Sequence, residues 1–202
     1  MPRKSRLSAR KKPRQARSQE TVAVILEAAA RVLEEHGLEG YNTNAVAQRG
    51  GISVGSIYQY FPNKDALTLA LIGRFEDQIL ETAQAAVAAA EGEDLKTSLK
   101  LMIAGLLKAH DGRAQLNRIL ETEESRLRSS SPGPSASLDL RKLIGSLLGP
   151  HRNELGPIDA AAIEDLIVIT RAMVDDALQR EISQPAAQRR ILRAVEGYLR
   201  WH

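Results

Sequence analysis

The chain contains no cysteine. Disulfides, thiol nucleophiles and Cys-ligated zinc are therefore excluded, and the absence is compatible with a reducing compartment. Aromatic residues are scarce: one Trp, four Tyr and two Phe in 202 residues. No uncharged apolar run approaches the ~18 residues that cross a bilayer. The longest are Ala66 to Gly73 and Thr82 to Ala90. The basic N-terminus leads into no hydrophobic segment of the secretory type, so a cytoplasmic protein with no membrane partner is expected. The four histidines, His36, His110, His151 and His202, are scattered without metal-ligand spacing, and no phosphate loop or nucleophile elbow is present. The expectation is a protein with no metal, no cofactor and no catalytic constellation.

What is present is enough apolar content, 43%, to bury the core of one large domain or two small ones. Charge is unevenly spread. Arg3, Lys4, Arg6, Arg10, Lys11, Lys12, Arg14 and Arg17 fall in the first 18 residues with no acid among them, so a chain of net charge +3 has a body of net charge −5. A basic arm on a mildly acidic body suits a local contact with a polyanion; a solvated tail is the alternative.

After residue 18 apolar residues recur at three- and four-residue spacing, and no stretch alternates for long with period two. An all-α protein is expected: an N-terminal three-helix helix-turn-helix domain followed by a six-helix C-terminal dimerisation and ligand-binding body. Val22, Ile25, Leu26, Ala29 and Leu33 form one stripe of a first helix that ends at Gly37, with Leu38 packing behind it. Two short helices follow, over about 43–50 and 53–61. Pro62 ends the second of these, and Asn63 caps a fourth helix with Asp65 in its first turn. That helix runs to about Ala90. Further amphipathic segments cover about 94–110, 113–128, 137–148, 157–181 and 185–201, and Ser129 to Ser135 reads as a flexible connection. The divisions drawn are a basic arm over 1–18, a helix-turn-helix domain over 19–62, and a helical body over 63–202.

Residues 43–61 place two short helices around a glycine turn, a helix-turn-helix pattern. Ala47 is small enough for a close crossing, Gly51 supplies the turn, and Val46, Ile52 and Ile57 face inward, while Ser53 caps the second helix. Val54, Gly55, Ser56, Tyr58, Gln59 and Tyr60 remain on its outer face. Such a face suits a major groove: Gln59 can pair with adenine, Ser56 can bond several base edges, Val54 can touch a thymine methyl, and Gly55 lets the backbone come close. Thr43 and Lys64 are placed to hold phosphates. Four of the seven aromatics, Tyr41, Tyr58, Tyr60 and Phe61, crowd into residues 41–61.

These residues carry a family resemblance. Residues 21–67 resemble the DNA-binding domain of TetR/AcrR-like transcriptional regulators through Ile25-Leu26, Ala28-Ala29, Gly37, Thr43, Ala47, Gly51-Ile52-Ser53, Gly55, Ile57-Tyr58, Tyr60-Phe61, Lys64 and Leu67. Gly50, Val46 and Tyr60 depart from the usual Ala, Ile and His, and Gly50 is expected to loosen the end of its helix. The resemblance implies that Thr43, Ser53, Tyr58, Tyr60 and Lys64 hold the DNA backbone while Val54, Gly55, Ser56 and Gln59 read bases. It also implies a homodimer on a palindromic operator, usually a repressor, released by a small molecule that enters the body.

The body carries no strong motif. The segment from Ala160 to Val174 is apolar on most sides (Ile163, Leu166, Ile167, Val168, Ile169, Met173), and the last helix adds Ile191, Leu192, Val195, Tyr198 and Leu199; together they read as a pairing surface for a second copy. No aromatic residue occurs between Phe75 and Tyr198. A pocket lined from Met102, Ile103, Leu106, Leu116, Leu120, Leu143 and Leu147 would then be aliphatic and favour an apolar effector over a flat cation. Glu123 and Arg171 are either its polar anchors or members of local pairs, with Arg126 and Asp175 respectively.

A sequence-specific regulator is thus weighed against an architectural DNA coater, which would discriminate little between operator and random DNA, and against an enzyme, for which no reactive cluster is visible. Activator and repressor roles are not separable at this level. The arm generates a first prediction. Each phosphate it neutralises steepens log K against log salt by about 0.9. Deleting residues 1–17 is expected to flatten that slope in a DNA-binding titration, and an unchanged slope would show the arm to be idle.

Overall fold

The computed structural model describes residues 16–110, 113–128 and 137–201. The arm up to residue 15 and the Ser129 to Ser135 connection lie outside them. Among the described residues there are nine helices and no strand: α1 Ala16–Gly40, α2 Thr43–Gly50, α3 Val54–Tyr60, α4 Lys64–Ala89, α5 Leu95–Ala109, α6 Ala114–Arg128, α7 Ser137–Leu148, α8 Ala160–Gln179 and α9 Gln184–Trp201, with a short helical turn over 149–155 between α7 and α8. None of them is long and apolar enough to cross a membrane.

Local chemistry sets most of these ends. The Asn63 Oδ1 accepts the Ala66 N–H at 2.8 Å at the start of α4, Asp94 caps α5 through Thr97 N–H at 2.7 Å, and Asp159 caps α8 through Ala162 N–H at 2.8 Å. Gly37 sits at φ 61, a left-handed kink after which helical residues resume as far as Gly40. Leu38 stays at the surface rather than packing behind that kink. The turn over 149–155, with Pro150 inside it and Gly156 at φ 72 beyond it, delays α8 to Ala160, three residues later than the hydrophobic pattern alone suggests.

The described residues form two compact units. The first takes α1 to α3, α4 as far as Phe75, and α6 from Gln115; the second takes α4 from Glu76, α5, and everything from α7 onward. This differs from a division after residue 62. The first ten or so residues of α4 and nearly all of α6 belong with the helix-turn-helix, because their apolar faces complete its core. Leu67, Leu71 and Ile72 from α4 and Leu116, Leu120 and Leu127 from α6 are buried in one cluster with Ile25, Leu26, Ala29 and Leu33 from α1 and with Val46, Ile57 and Phe61. Five helical segments and 18 buried side chains give this small unit the burial that offsets chain entropy.

The second unit has its own cluster: Ala83 and Ala86 from α4, Leu99, Met102, Ile103 and Leu107 from α5, Leu147 and Leu148 from α7, Leu166 and Val174 from α8, and Ile191, Leu192, Val195 and Leu199 from α9. Gly105 lets α5 approach α4 closely, since a Cβ there would lie 3.3 Å from the Thr82 methyl.

The first unit's core contains one hydroxyl of consequence. Tyr41, between α1 and α2, is 2% exposed, and its OH lies 3.2 Å from the Thr68 hydroxyl of α4. Burial pushes its pKa up to about 12, the nearby carboxylates of Glu123 and Asp65 add to this, and the Thr68 hydrogen bond opposes it. Below about pH 10 the side chain is neutral whether the protein is folded or not. Above that only the unfolded chain ionises readily, so stability is lost as pH rises towards 12. Tyr41→Phe is expected to remove a loss on the order of 2 to 3 kcal/mol over that window, read from urea unfolding at successive pH values.

Candidate nucleic-acid interface

The interface is assembled from the ends of α1 and α2, the whole of α3 and the first turn of α4. The α2 helix begins at Asn42, whose Oδ1 accepts the Ala45 N–H at 2.9 Å, and ends at Gly51 with φ 63. There the Ile52 N–H reaches the Ala47 carbonyl at 3.0 Å and the Gly51 N–H reaches the Gln48 carbonyl at 3.3 Å. These two bonds close the helix in a Schellman motif that only a left-handed residue permits without strain, which is why Gly51 can serve as the turn. The departure at Gly50 has a packing reason. A Cβ at that position would sit 3.2 Å from the Ala28 Cβ, so the glycine lets α2 end close against α1.

The α3 helix starts immediately. Ser53 in extended conformation accepts the Ser56 N–H at 3.0 Å, and the two serine hydroxyls lie 2.8 Å apart. Ile57 is fully buried and fixes the helix's rotation about its own axis. With that face inward, Gly55, Tyr58 and Gln59 are exposed, and Val54, Ser56 and Tyr60 are half-buried. Of the residues expected from sequence to read bases, Gly55 and Gln59 are exposed, Ser56 is half-buried, and Val54 packs against the core. Ser56 is the least free of them, since its hydroxyl is already engaged by the cap.

Three of the residues expected from sequence to hold the DNA backbone, Thr43, Tyr58 and Tyr60, are engaged in hydroxyl pairs. The Thr43 hydroxyl lies 3.3 Å from the Tyr58 hydroxyl and joins the start of α2 to α3. Of the two protons in that pair one is used internally, which leaves the other to donate to an oxyanion. Tyr60 accepts from the Ser18 hydroxyl at 3.2 Å, so the start of α1, where the basic arm attaches, is fastened to α3. Lys64 is exposed on the first turn of α4, with its Nζ 5.6 Å from the centroid of the Tyr41 ring. A cation over an aromatic face is held in place without being neutralised. Asn42 and Ser18 were not among the residues singled out from sequence. Asn42 was legible, because Asn one residue before a helical pattern is a capping signal; Ser18 was not, because its partner is 42 residues away.

The effector-lining candidates are not brought together as one group. Met102, Ile103 and Leu147 are buried in the second unit's cluster, with Leu106 and Leu143 packed against it. Leu116 and Leu120 are buried in the first unit's cluster. The Glu123 carboxylate is taken up by Arg126, at 2.8 to 3.2 Å, the local pair considered for it. Unlike a rim pair, however, the Glu123 side chain is only 8% exposed. Arg171 lies on the exposed side of α8, alongside Val168, which is 58% exposed.

Comparison with known proteins supplies the identity. The description "Bacterial regulatory proteins, tetR family" matches residues 25–71. Over 181 residues, 83% of each chain, the protein is 32% identical to the HTH-type transcriptional regulator TtgR of Pseudomonas putida. Over 65 residues it is 38% identical to the HTH-type transcriptional repressor KstR of Mycolicibacterium smegmatis, a match that spans 32% of that relative's length. Its fold is that of a TetR-like transcriptional regulator from Rhodococcus sp. RHA1, at a TM-score of 0.65 and 21% identity, over 95% of this chain and all of that one. A relative of this identity across most of the chain, matched by the helix-turn-helix geometry, establishes that the chain belongs to the tetR family of bacterial regulatory proteins and is a DNA-binding transcriptional regulator.

Proposed function

We propose that this regulator is a repressor that binds a palindromic operator as a homodimer and is released from it by a small apolar effector. The observation that carries the proposal is the surface of α3. One buried side chain, Ile57, and one capping residue, Ser53, hold the helix so that Gly55, Tyr58 and Gln59 are exposed together, a neutral surface on which Tyr58 and Gln59 carry hydrogen-bonding groups. A protein that merely coats DNA has no use for such a surface; charge alone would serve. The repressor role is supported by KstR, a relative that is a transcriptional repressor.

Pairing of α8 and α9 with those of a second copy is supported by apolar surface left on α8. Val168 is exposed, and Ile163, Ile167, Ile169 and Met173 are only half-buried. On a two-fold operator the two α3 helices must then stand about one helical turn, or ~34 to 36 Å, apart. An apolar effector is supported by the aliphatic character of the cluster holding Met102, Ile103, Leu106, Leu143 and Leu147. Leu116 and Leu120 serve the other unit's core and drop out of that lining. The effector releases DNA to the extent that it binds the DNA-incompetent arrangement more tightly.

The deciding experiment is selection of bound sequences from a random duplex pool at near-physiological salt. A palindromic consensus is expected; recovery of none would move the reading to an architectural protein. Gln59→Ala should then relax one position in each half-site at a cost of about 1 to 3 kcal/mol and leave the salt slope unchanged. Loss of affinity that is uniform across sequences would remove Gln59 from the base-reading set.

A further inference from the structure

Within the first unit, a charged cluster joins α6 to the first turn of α4, and its geometry is more specific than a surface ion pair. On α6, the Arg126 Nε donates to both carboxylate oxygens of Glu123, at 3.1 and 3.2 Å, and Nη2 donates to one of them at 2.8 Å. The same Nη2 donates to Asp65 Oδ1 on α4 at 2.7 Å. Glu123 is buried and lies one helical turn before Arg126. The guanidinium is therefore already oriented by a partner on its own helix, and its planar fork is presented to Asp65 ready-made. An ordinary exposed pair must immobilise two long side chains for one contact, which is why it contributes little; here much of that ordering has been done before Asp65 arrives.

On the α4 side, Asp65 is the neighbour of Lys64. The Lys64 carbonyl accepts the Thr68 hydroxyl at 2.9 Å, and the Lys64 ammonium lies over the ring of Tyr41. The first turn of α4 is thus gripped through Asn63 at its cap, through Thr68 beneath it, and through Asp65 from α6. We propose that the Arg126–Asp65 bond is a positioning latch for Lys64: α6 holds the first turn of α4 in the orientation from which Lys64 meets a DNA phosphate. Arg126 and Asp65 act through Lys64 and touch no DNA themselves. The inference rests on the reading of Lys64 as a phosphate contact.

The sign of one substitution separates the latch from simple electrostatics. Asp65→Asn removes a negative charge from the DNA-facing end of the unit, and Coulomb's law alone then predicts tighter binding to a polyanion. The latch predicts weaker binding. Asp65→Asn also leaves the Arg126–Glu123 pair intact, whereas Arg126→Ala would strand a buried carboxylate and risk the fold. Full-length wild type, Asp65→Asn, Asp65→Glu, Lys64→Ala and the Lys64→Ala/Asp65→Asn double variant are titrated across salt concentrations against a short duplex carrying the selected consensus and against a random duplex. Thermal unfolding serves as the control for structure.

Asp65→Asn is expected to bind several-fold more weakly than wild type, with a salt slope shallower by about 0.9, the loss of one phosphate. Asp65→Glu, which keeps a carboxylate, should recover much of the affinity. Lys64→Ala should show the same slope change, and the double variant should be no weaker than Lys64→Ala. Tighter or unchanged binding by Asp65→Asn overturns the latch, as does a loss of the same size in the Lys64→Ala background. An unaltered slope for Lys64→Ala would instead remove Lys64 from the phosphate contacts, and the latch would fall with that reading.

Discussion

A helix of seven residues has almost no stability of its own in water, because nucleating the first turn costs more than the few bonds that follow return. The α3 helix, Val54–Tyr60, is of that kind. It exists only because Ile57 is drawn into the first unit's core and because the turn before it is closed by Gly51 and capped by Ser53. Every proposed property of the DNA-reading surface follows from this dependence. The outward direction of Gly55, Tyr58 and Gln59 is the complement of the inward direction of Ile57, and the core that receives Ile57 is supplied by α1, α4 and α6.

Hydroxyl groups do much of the remaining work. Thr43 with Tyr58, Ser18 with Tyr60 and Thr68 with Tyr41 each join segments that are far apart in the chain. The first two pairs position aromatic rings without neutralising charge and keep bonding capacity in reserve, while the third is buried in the core. That combination suits the phosphate contacts proposed for Thr43, Tyr58 and Tyr60, where lysine and arginine alone would give attraction without register.

The composition of the first unit shows where sequence reading reaches its limit. The helix-turn-helix itself was legible, since glycine at the turn, serine at the cap and isoleucine at the buried position all act within a few residues of one another. So were most helix ends, for the same reason. The allegiance of α6 was not. Its stripe of Leu116, Leu120 and Leu127 is an ordinary amphipathic pattern that says a partner is needed without saying which one, so Leu116 and Leu120 read equally well as the lining of an effector cavity in the body. The same applies to Glu123, whose local pairing with Arg126 could be anticipated from a three-residue spacing, while the reach of Arg126 to Asp65 across 61 residues could not.

Periodicity, caps and turn residues are local rules, so the chain's own order was enough to establish helices throughout, the helix-turn-helix near the start, and which face of α3 must be buried. Hydrophobic burial is non-directional and blind to sequence distance. Which apolar stripes meet is decided only when the whole chain competes for the same water-free space. Tertiary structure alone therefore decided that α6 completes the core beneath α3, and that an arginine near its end grips the first turn of α4.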